Sequence, residues 1–302
     1  MPPYHHSDFY PQPWKLQRRA LLTGIVILGA GTLIGDNRVM AAVEQNTLKR
    51  RGVGLRALDR ERASPGFTLF APHFVQNRTV YLIDLEGNVV HTWEMPYPPG
   101  MSGYLTERGT FFYNGRTPEE NFLSRFPFKA GAVLEVDWNG KVLWEVRHPD
   151  HHHYGILLRN GNVLLHCMGQ VPHDIARRVS GGMVEGNMQS GAYATRADAD
   201  AGKMFSDYLA EVTRTGQTVW EWRTWDHLDP VTDGIAEIQA PRTLWAHGNS
   251  LQELPDGDIL ASFRPTSTVI RISRKTSKFF GSSVRRWSRD SMRQPCWRMA
   301  TC

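Results

Sequence analysis

Three stretches of the chain repeat one pattern of apolar and polar positions. They are VYLIDLEGNVVHTW from Val80, AVLEVDWNGKVLWEV from Ala132 and YLAEVTRTGQTVWEW from Tyr208. Each has an alternating run rich in β-branched residues, a polar turn at Gly87, Gly140 or Gly216, and a second run ending in Trp. Period-two alternation predicts strands, and the glycine turns join them as hairpins. A looser strand–turn–strand pattern follows each one: GYLTERGTFFYNG, HYGILLRNGNVLLHC and NSLQELPDGDILASF. Each repeat therefore reads as four short antiparallel strands. A fourth unit opens at STVIRISRKTSKFF from Ser267. Trp93, Trp144, Trp220 and Trp222 fall where strands pack, and are expected to serve the core.

Four-stranded units recurring every ~50 residues predict an all-β chain built as a β-propeller of three to four blades. A β-sandwich is the competing reading. The repeat disfavours it, because sandwich strands rarely repeat in sequence. Two insertions interrupt the pattern, between Met168 and Asp207 and between Trp222 and Trp245. Both are expected to be loops on one face, where functional groups collect. The first has a short helix expected around 194–203.

The ends of the chain differ from this middle. KLQRRALLTGIVILGAGTLIGDNRVMAA, from Lys15, has a basic stretch, a short apolar run and a small-residue site at Val39-Met40-Ala41. That is the layout of an export signal, possessing the adjacent Arg18 and Arg19 of a twin-arginine type. An uncleaved anchor is the alternative, and would be the chain's sole link to a membrane. Either way the remainder is expected to be periplasmic or extracellular. The predicted organisation is signal or anchor at 1–41, linker at 42–64, propeller at 65–280 and a tail at 281–302. The tail, GSSVRRWSRDSMRQPCWRMATC, loses the alternation and is expected to be a shifted reading frame or a degraded end, which leaves the propeller truncated.

The net charge of +5 prompts the question of a nucleic-acid partner. The basic residues cluster at the two ends and no nucleic-acid module is present, so none is expected. The three cysteines, Cys167, Cys296 and Cys302, form no C-x-x-C pair, which argues against a zinc knuckle or a disulfide scaffold.

The hairpin around Asp256-Gly257 carries the candidate chemistry. With the turn centred there, Asn249 is expected opposite Arg264, with His247 just beyond. An imidazole, an amide and a guanidinium at one end of a hairpin suit a tetrahedral oxyanion. His151, His152 and His153 occupy the same end of the previous hairpin, so His152 or His153 is expected to face His247 and Arg264. No metal site is expected from the triple histidine, because consecutive strand residues alternate faces. His166 and His173 have no such positional support.

GFTLFAP before VYLIDLEGNVVHTW, HH before L-x-x-NGN, H-x-NS, and S-x-R before V-I-x-I-S-R together resemble the bacterial arylsulfotransferases. These are exported, PAPS-independent enzymes on a six-bladed propeller. The resemblance covers about 65–280. It implies transfer of a sulfuryl group from an aryl sulfate to a phenol through a sulfohistidine, with no cofactor or metal. By motif match, His247 and Arg264 would bind the sulfuryl oxygens, Asn249 would support them, and His152 or His153 would add a donor. The family's attacking histidine lies in a later blade, in a segment this chain lacks, so the catalytic nucleophile is unassigned and low activity is expected. The other function class is a non-catalytic exported propeller that binds an anionic or aromatic ligand. A quinone-dependent dehydrogenase propeller is excluded by the chain's length and by the absence of acidic ligands for calcium.

Overall fold

The computed structural model describes residues 55, 57–73, 77–182, 203–237 and 240–283. The expected export segment, most of the linker, most of the helix expected around 194–203, and Cys296 and Cys302 lie outside the described residues. No helix among the described residues is long and apolar enough to cross a membrane.

The chain divides into two compact units. The smaller takes the residues up to 71, 79–94 and 105–110, and the larger takes the rest. In the smaller, β1 (Thr68–Phe70), β2 (Thr79–Ile83) and β3 (Val89–Glu94) form a three-stranded antiparallel sheet. The larger is built on three four-stranded sheets in chain order. The first is β4 (Pro99–Leu105), β5 (Phe111–Arg116), β6 (Gly131–Val136) and β7 (Val142–Arg147). The second is β8 (His151–Leu157), β9 (Val163–Gln170), β10 (Phe205–Val212) and β11 (Thr218–Arg223). The third is β12 (Gly248–Glu253), β13 (Ile259–Phe263), β14 (Thr268–Ile272) and β15 (Phe279–Ser283). Among the described residues, helix is confined to single turns: a 3₁₀ turn at Phe122–Arg125, α1 (His173–Ala176) and α2 (Thr224–His227). Consecutive four-stranded meanders of this kind are propeller blades. The chain is a partial β-propeller.

Every hairpin expected from the sequence is present, but the repeat is phased differently. The Trp-ending hairpins β6–β7 and β10–β11 close their sheets, where the sequence placed them at the start of each unit. The stretch from Ser267 does not open a fourth unit; β14 and β15 complete the third sheet. The cause is pairing between hairpins. β5 pairs β6 from Phe111↔Val136 to Arg116↔Gly131, and β9 pairs β10 from Val163↔Val212 to Gln170↔Phe205. Such long-range pairing leaves no local mark in a pattern of alternating residues.

Position in the sheet sets the composition of each strand. β6 and β10, flanked on both sides, are buried along their whole length. β7 and β11 are edges, and they alternate apolar residues with Glu and Arg, which discourages further strand pairing. The second and third sheets share a core that includes Leu209, Trp222, Trp245, Ile259, Phe263 and Ile270. Phe112, Val133, Val163 and Ala210 join the first of the four-stranded sheets to the second. Trp93 and Trp222 are fully buried, and Trp144 and Trp220 pack against the cores. Polar ties reinforce the packing: the Arg159 guanidinium donates to the carbonyls of Leu254 at 2.6 Å and Pro255 at 2.9 Å, and Arg274 pairs with the buried Glu211. Cys167 is a buried free thiol, which burial holds protonated.

The β6–β7 turn places Gly140 at φ 85°, with open space where a Cβ would go. Replacing it with alanine removes no contact and adds no clash. Gly140→Ala is expected to cost about 1–2 kcal/mol from backbone strain alone, read as a shift in the denaturation midpoint.

Candidate active site

Two backbone irregularities assemble the site. The first lies in β8. His151 pairs with Cys167, but the next pair is Gly155 with Leu165, so the register shifts across 152–154. His153 takes the left-handed conformation, φ 46°, and its N–H donates to the Phe128 carbonyl at 3.0 Å. The usual alternation of faces is therefore broken. The rings of His152 and His153 meet, with Nδ1 to Nδ1 at 2.8 Å. His151 is engaged elsewhere: its Nδ1 accepts the Gly131 N–H at 3.4 Å.

The second irregularity lies at the start of β12. His247 has φ 51°, and a bulge between Gly248 and Ser250 leaves Asn249 without a cross-strand partner. This corrects the expected register. Asn249 does not stand opposite Arg264. His247 does, its carbonyl accepting the Arg264 N–H at 3.2 Å. Asn249 is exposed at the bulge. Left-handed backbone at a non-glycine residue costs energy and tends to mark functional positions. Two of the four such residues described here are His153 and His247.

These strained positions bring the two imidazoles together. The His153 and His247 rings are edge-to-face, with centroids 4.7 Å apart. Phe128 braces both, stacked on His153 at 4.7 Å and edge-on to His247 at 4.6 Å. Beneath them lies Asp207 of β10, wholly buried. Its Oδ1 accepts the Gly248 N–H at 2.7 Å, and lies 3.0 Å from His152 Nε2 and 3.8 Å from His166 Nδ1. Arg264 is the exposed member, with its side chain 52% accessible and its Nε 3.2 Å from Glu237.

Burial sets the electrostatics. It pushes the His247 imidazole down to about 3 and His166 down to about 4; both also feel Asp207, which acts in the opposite direction. His153 is depressed by burial and by its neighbours His152, His247 and Arg264. These rings are neutral at pH 7. Asp207 behaves differently. Burial favours its protonated form, but His152, His166 and His247 outweigh that and hold it below the ordinary aspartate value. The result is a buried anion beneath neutral imidazoles, with a guanidinium at the rim. Among the described residues, no group of three or more His, Cys, Asp or Glu side chains is arranged to hold a metal ion.

Of the residues expected from sequence, His153, His247 and Arg264 are brought together. His152 is adjacent, but both of its nitrogens are turned inward, toward Asp207 and His153. His173 lies exposed on α1. Asp207, Phe128 and Gly248 went unnoticed in the sequence, and His166 was set aside for want of positional support. One signal was available for two of them. Asp207 in FSDYLAEV and His166 in VLLHCMGQ are polar residues inside strands that are otherwise buried runs.

Comparison with known proteins adds a family match over part of the chain. Residues 170–295 match the family model for arylsulfotransferase (ASST). The stretch contains Asp207, His247, Asn249 and Arg264, and lies beyond His151–His153 and His166. No curated protein matches the chain. Among solved structures it is similar to a protein of unknown function from Bacteroides caccae, at 13% identity, TM-score 0.38, covering 72% of this chain and 57% of that one. It is also similar to virginiamycin B lyase from Staphylococcus aureus, at 11% identity, TM-score 0.36, covering 72% and 52%. A third is BamB from Moraxella catarrhalis, at 10% identity, TM-score 0.32, covering 72% and 59%. The chain spans between about half and three-fifths of the length of these structures. The matched stretch holds Asp207 and the whole third sheet with its histidine–arginine rim, and over it the chain is similar to the arylsulfotransferase family.

Proposed function

We propose that the rim of His153, His247 and Arg264 binds the sulfuryl group of an aryl sulfate, and that the protein acts in its transfer to a phenol. The observation that supports this most is the pair of left-handed histidines, 4.7 Å apart, beside a guanidinium. A sulfuryl group in transfer spreads negative charge over three oxygens through a loose transition state. Catalysis then depends on positioning and on donors aimed at those oxygens. Arg264 supplies a planar fork of donors, of which Nε is turned to Glu237. His247, neutral at pH 7, supplies one N–H without the charge of an imidazolium. Asn249, exposed at the bulge beside Gly248, is the third donor on this side. The protein is proposed to work outside the cytoplasm, with an aryl sulfate and a phenol as its small-molecule partners. The attacking histidine of the family mechanism is not assigned.

Arg264→Ala is expected to weaken aryl-sulfate binding about 10- to 100-fold, the usual worth of a hydrogen bond to a charged group, with little change in thermal stability. Titration calorimetry reads both affinities. Unchanged affinity would remove Arg264 from the site.

A second reading, an exported propeller that binds anions without turnover, draws on the same donors. It is supported by the burial of His153 and His247, which leaves Arg264 as the accessible group of the three. Mass spectrometry after incubation with an aryl sulfate separates the two readings. A sulfuryl adduct on a histidine is expected for transfer, and none for binding alone.

A further inference from the structure

Asp207 is a carboxylate buried in the middle of β10. An ionised group in such a place is costly unless its oxygens are engaged. Oδ1 accepts the Gly248 N–H and lies 3.0 Å from His152 Nε2; among the described residues, that nitrogen and the buried Oδ2 have no hydrogen-bond partner. The side-chain proton facing Oδ1 can be located. His166 does not provide it. Its Nε2 lies 3.3 Å from the Ser250 carbonyl, which can only accept, so its proton sits on Nε2 and its Nδ1 faces Asp207 as a lone pair. The proton therefore belongs to His152 Nε2.

That assignment propagates outward. His152 Nδ1 and His153 Nδ1 are 2.8 Å apart, so one must donate to the other. A neutral His152 with its proton on Nε2 can only accept at Nδ1. His153 then donates from Nδ1 and keeps its lone pair on Nε2. The opposite polarity would set a His152 lone pair against a carboxylate oxygen 3.0 Å away.

We propose that Asp207 is a positioning residue that sets the direction of the His152–His153 hydrogen bond, so that His153 presents a lone pair at Nε2 and not an N–H. Through Gly248 the same carboxylate anchors the backbone next to His247, and so ties β8 to β12. The chemical consequence rests on the sulfuryl-transfer reading. Arg264 and His247 would hold the sulfuryl oxygens, and His153 Nε2 would accept a hydrogen bond from the incoming phenol O–H and orient its oxygen.

The test is the protonation pattern itself, read by long-range ¹H–¹⁵N correlation on the full chain labelled at histidine, at pH 7. The expected spectrum has His152 protonated at Nε2, and His153 protonated at Nδ1 with Nε2 bare. Asp207→Asn keeps an oxygen for the Gly248 N–H but removes the charge. It is expected to lose the bare-Nε2 signature of His153 while the far-ultraviolet dichroism of the fold persists. A proton on His153 Nε2 in the unsubstituted protein, including one that follows from a doubly protonated His152, overturns the proposal. So does an unchanged pattern in folded Asp207→Asn. Should that variant not fold, the unsubstituted spectrum decides alone. Neither readout needs turnover, so they succeed or fail separately from the aryl-sulfate experiments.

Discussion

Acidification from pH 7 to pH 5 is expected to unfold the protein well before its carboxylates titrate. Four histidines, His151, His153, His166 and His247, are buried and held neutral, each with burial as the leading cause. In the unfolded chain each regains a pKa of about 6.5. Above that value both states are neutral and stability is fully present. Below it the unfolded chain binds protons that the folded chain refuses, so stability falls with pH. The loss continues down to the folded values, about 4 for His166 and about 3 for His247. Each group contributes up to about 1.4 kcal/mol per pH unit. Four together reach the 5–15 kcal/mol typical of a whole domain at roughly pH 5. Denaturant midpoints measured in steps of pH will show this as a steep slope that begins just below pH 6.5. A flat profile from pH 7 to pH 5 would mean that the cluster is solvated or already charged.

Gly248→Ala is expected to be the most damaging small substitution at the site. A Cβ there would lie 2.2 Å from His166 Cε1, 2.5 Å from His166 Nδ1 and 2.9 Å from Asp207 Oδ1. Neither neighbour can yield cheaply. His166 is held by the Ser250 carbonyl, and Asp207 accepts the N–H of Gly248 itself. Overpacking of a fixed core usually costs 1–3 kcal/mol, and the loss of the buried carboxylate's backbone donor adds to that, so about 3 kcal/mol or more is expected. The same displacement moves His247, one residue away, and aryl-sulfate binding should fall with stability. Gly140→Ala is the comparison, since it strains the backbone without a clash. A Gly248→Ala midpoint within error of the parent would show that the strands can separate here, and would weaken the claim that Asp207 ties them.

The hairpins could be read from the chain because their cause is local. Alternation of period two, a glycine that accepts positive φ and a Trp at the strand end are properties of a dozen neighbouring residues. His247 and Arg264 were found the same way, as residues at the open end of one hairpin. The bulge at Asn249 was not, because one extra residue leaves the alternation on either side intact and merely moves the partner. The register of the hairpin, with Leu251 across from Ala261, points Gly248 at Arg264, and the bulge moves that partner on to His247.

Tertiary structure decided the rest, for the reason that it depends on which strands become neighbours. Whether β5 pairs with β6 sets the phase of the blades, and nothing within either hairpin encodes it. His151, His152 and His153 look equivalent in the sequence. The register shift in β8 sends His151 toward Gly131, sets His152 3.0 Å from a carboxylate 55 positions away, and leaves His153 for the rim. Asp207 and His166 read as isolated polar residues in apolar strands until the second and third sheets pack. Local patterning therefore determined the elements and the ends of the hairpins that carry chemistry. Packing between sheets determined which imidazoles are buried and neutral, and which cation is left accessible at the rim.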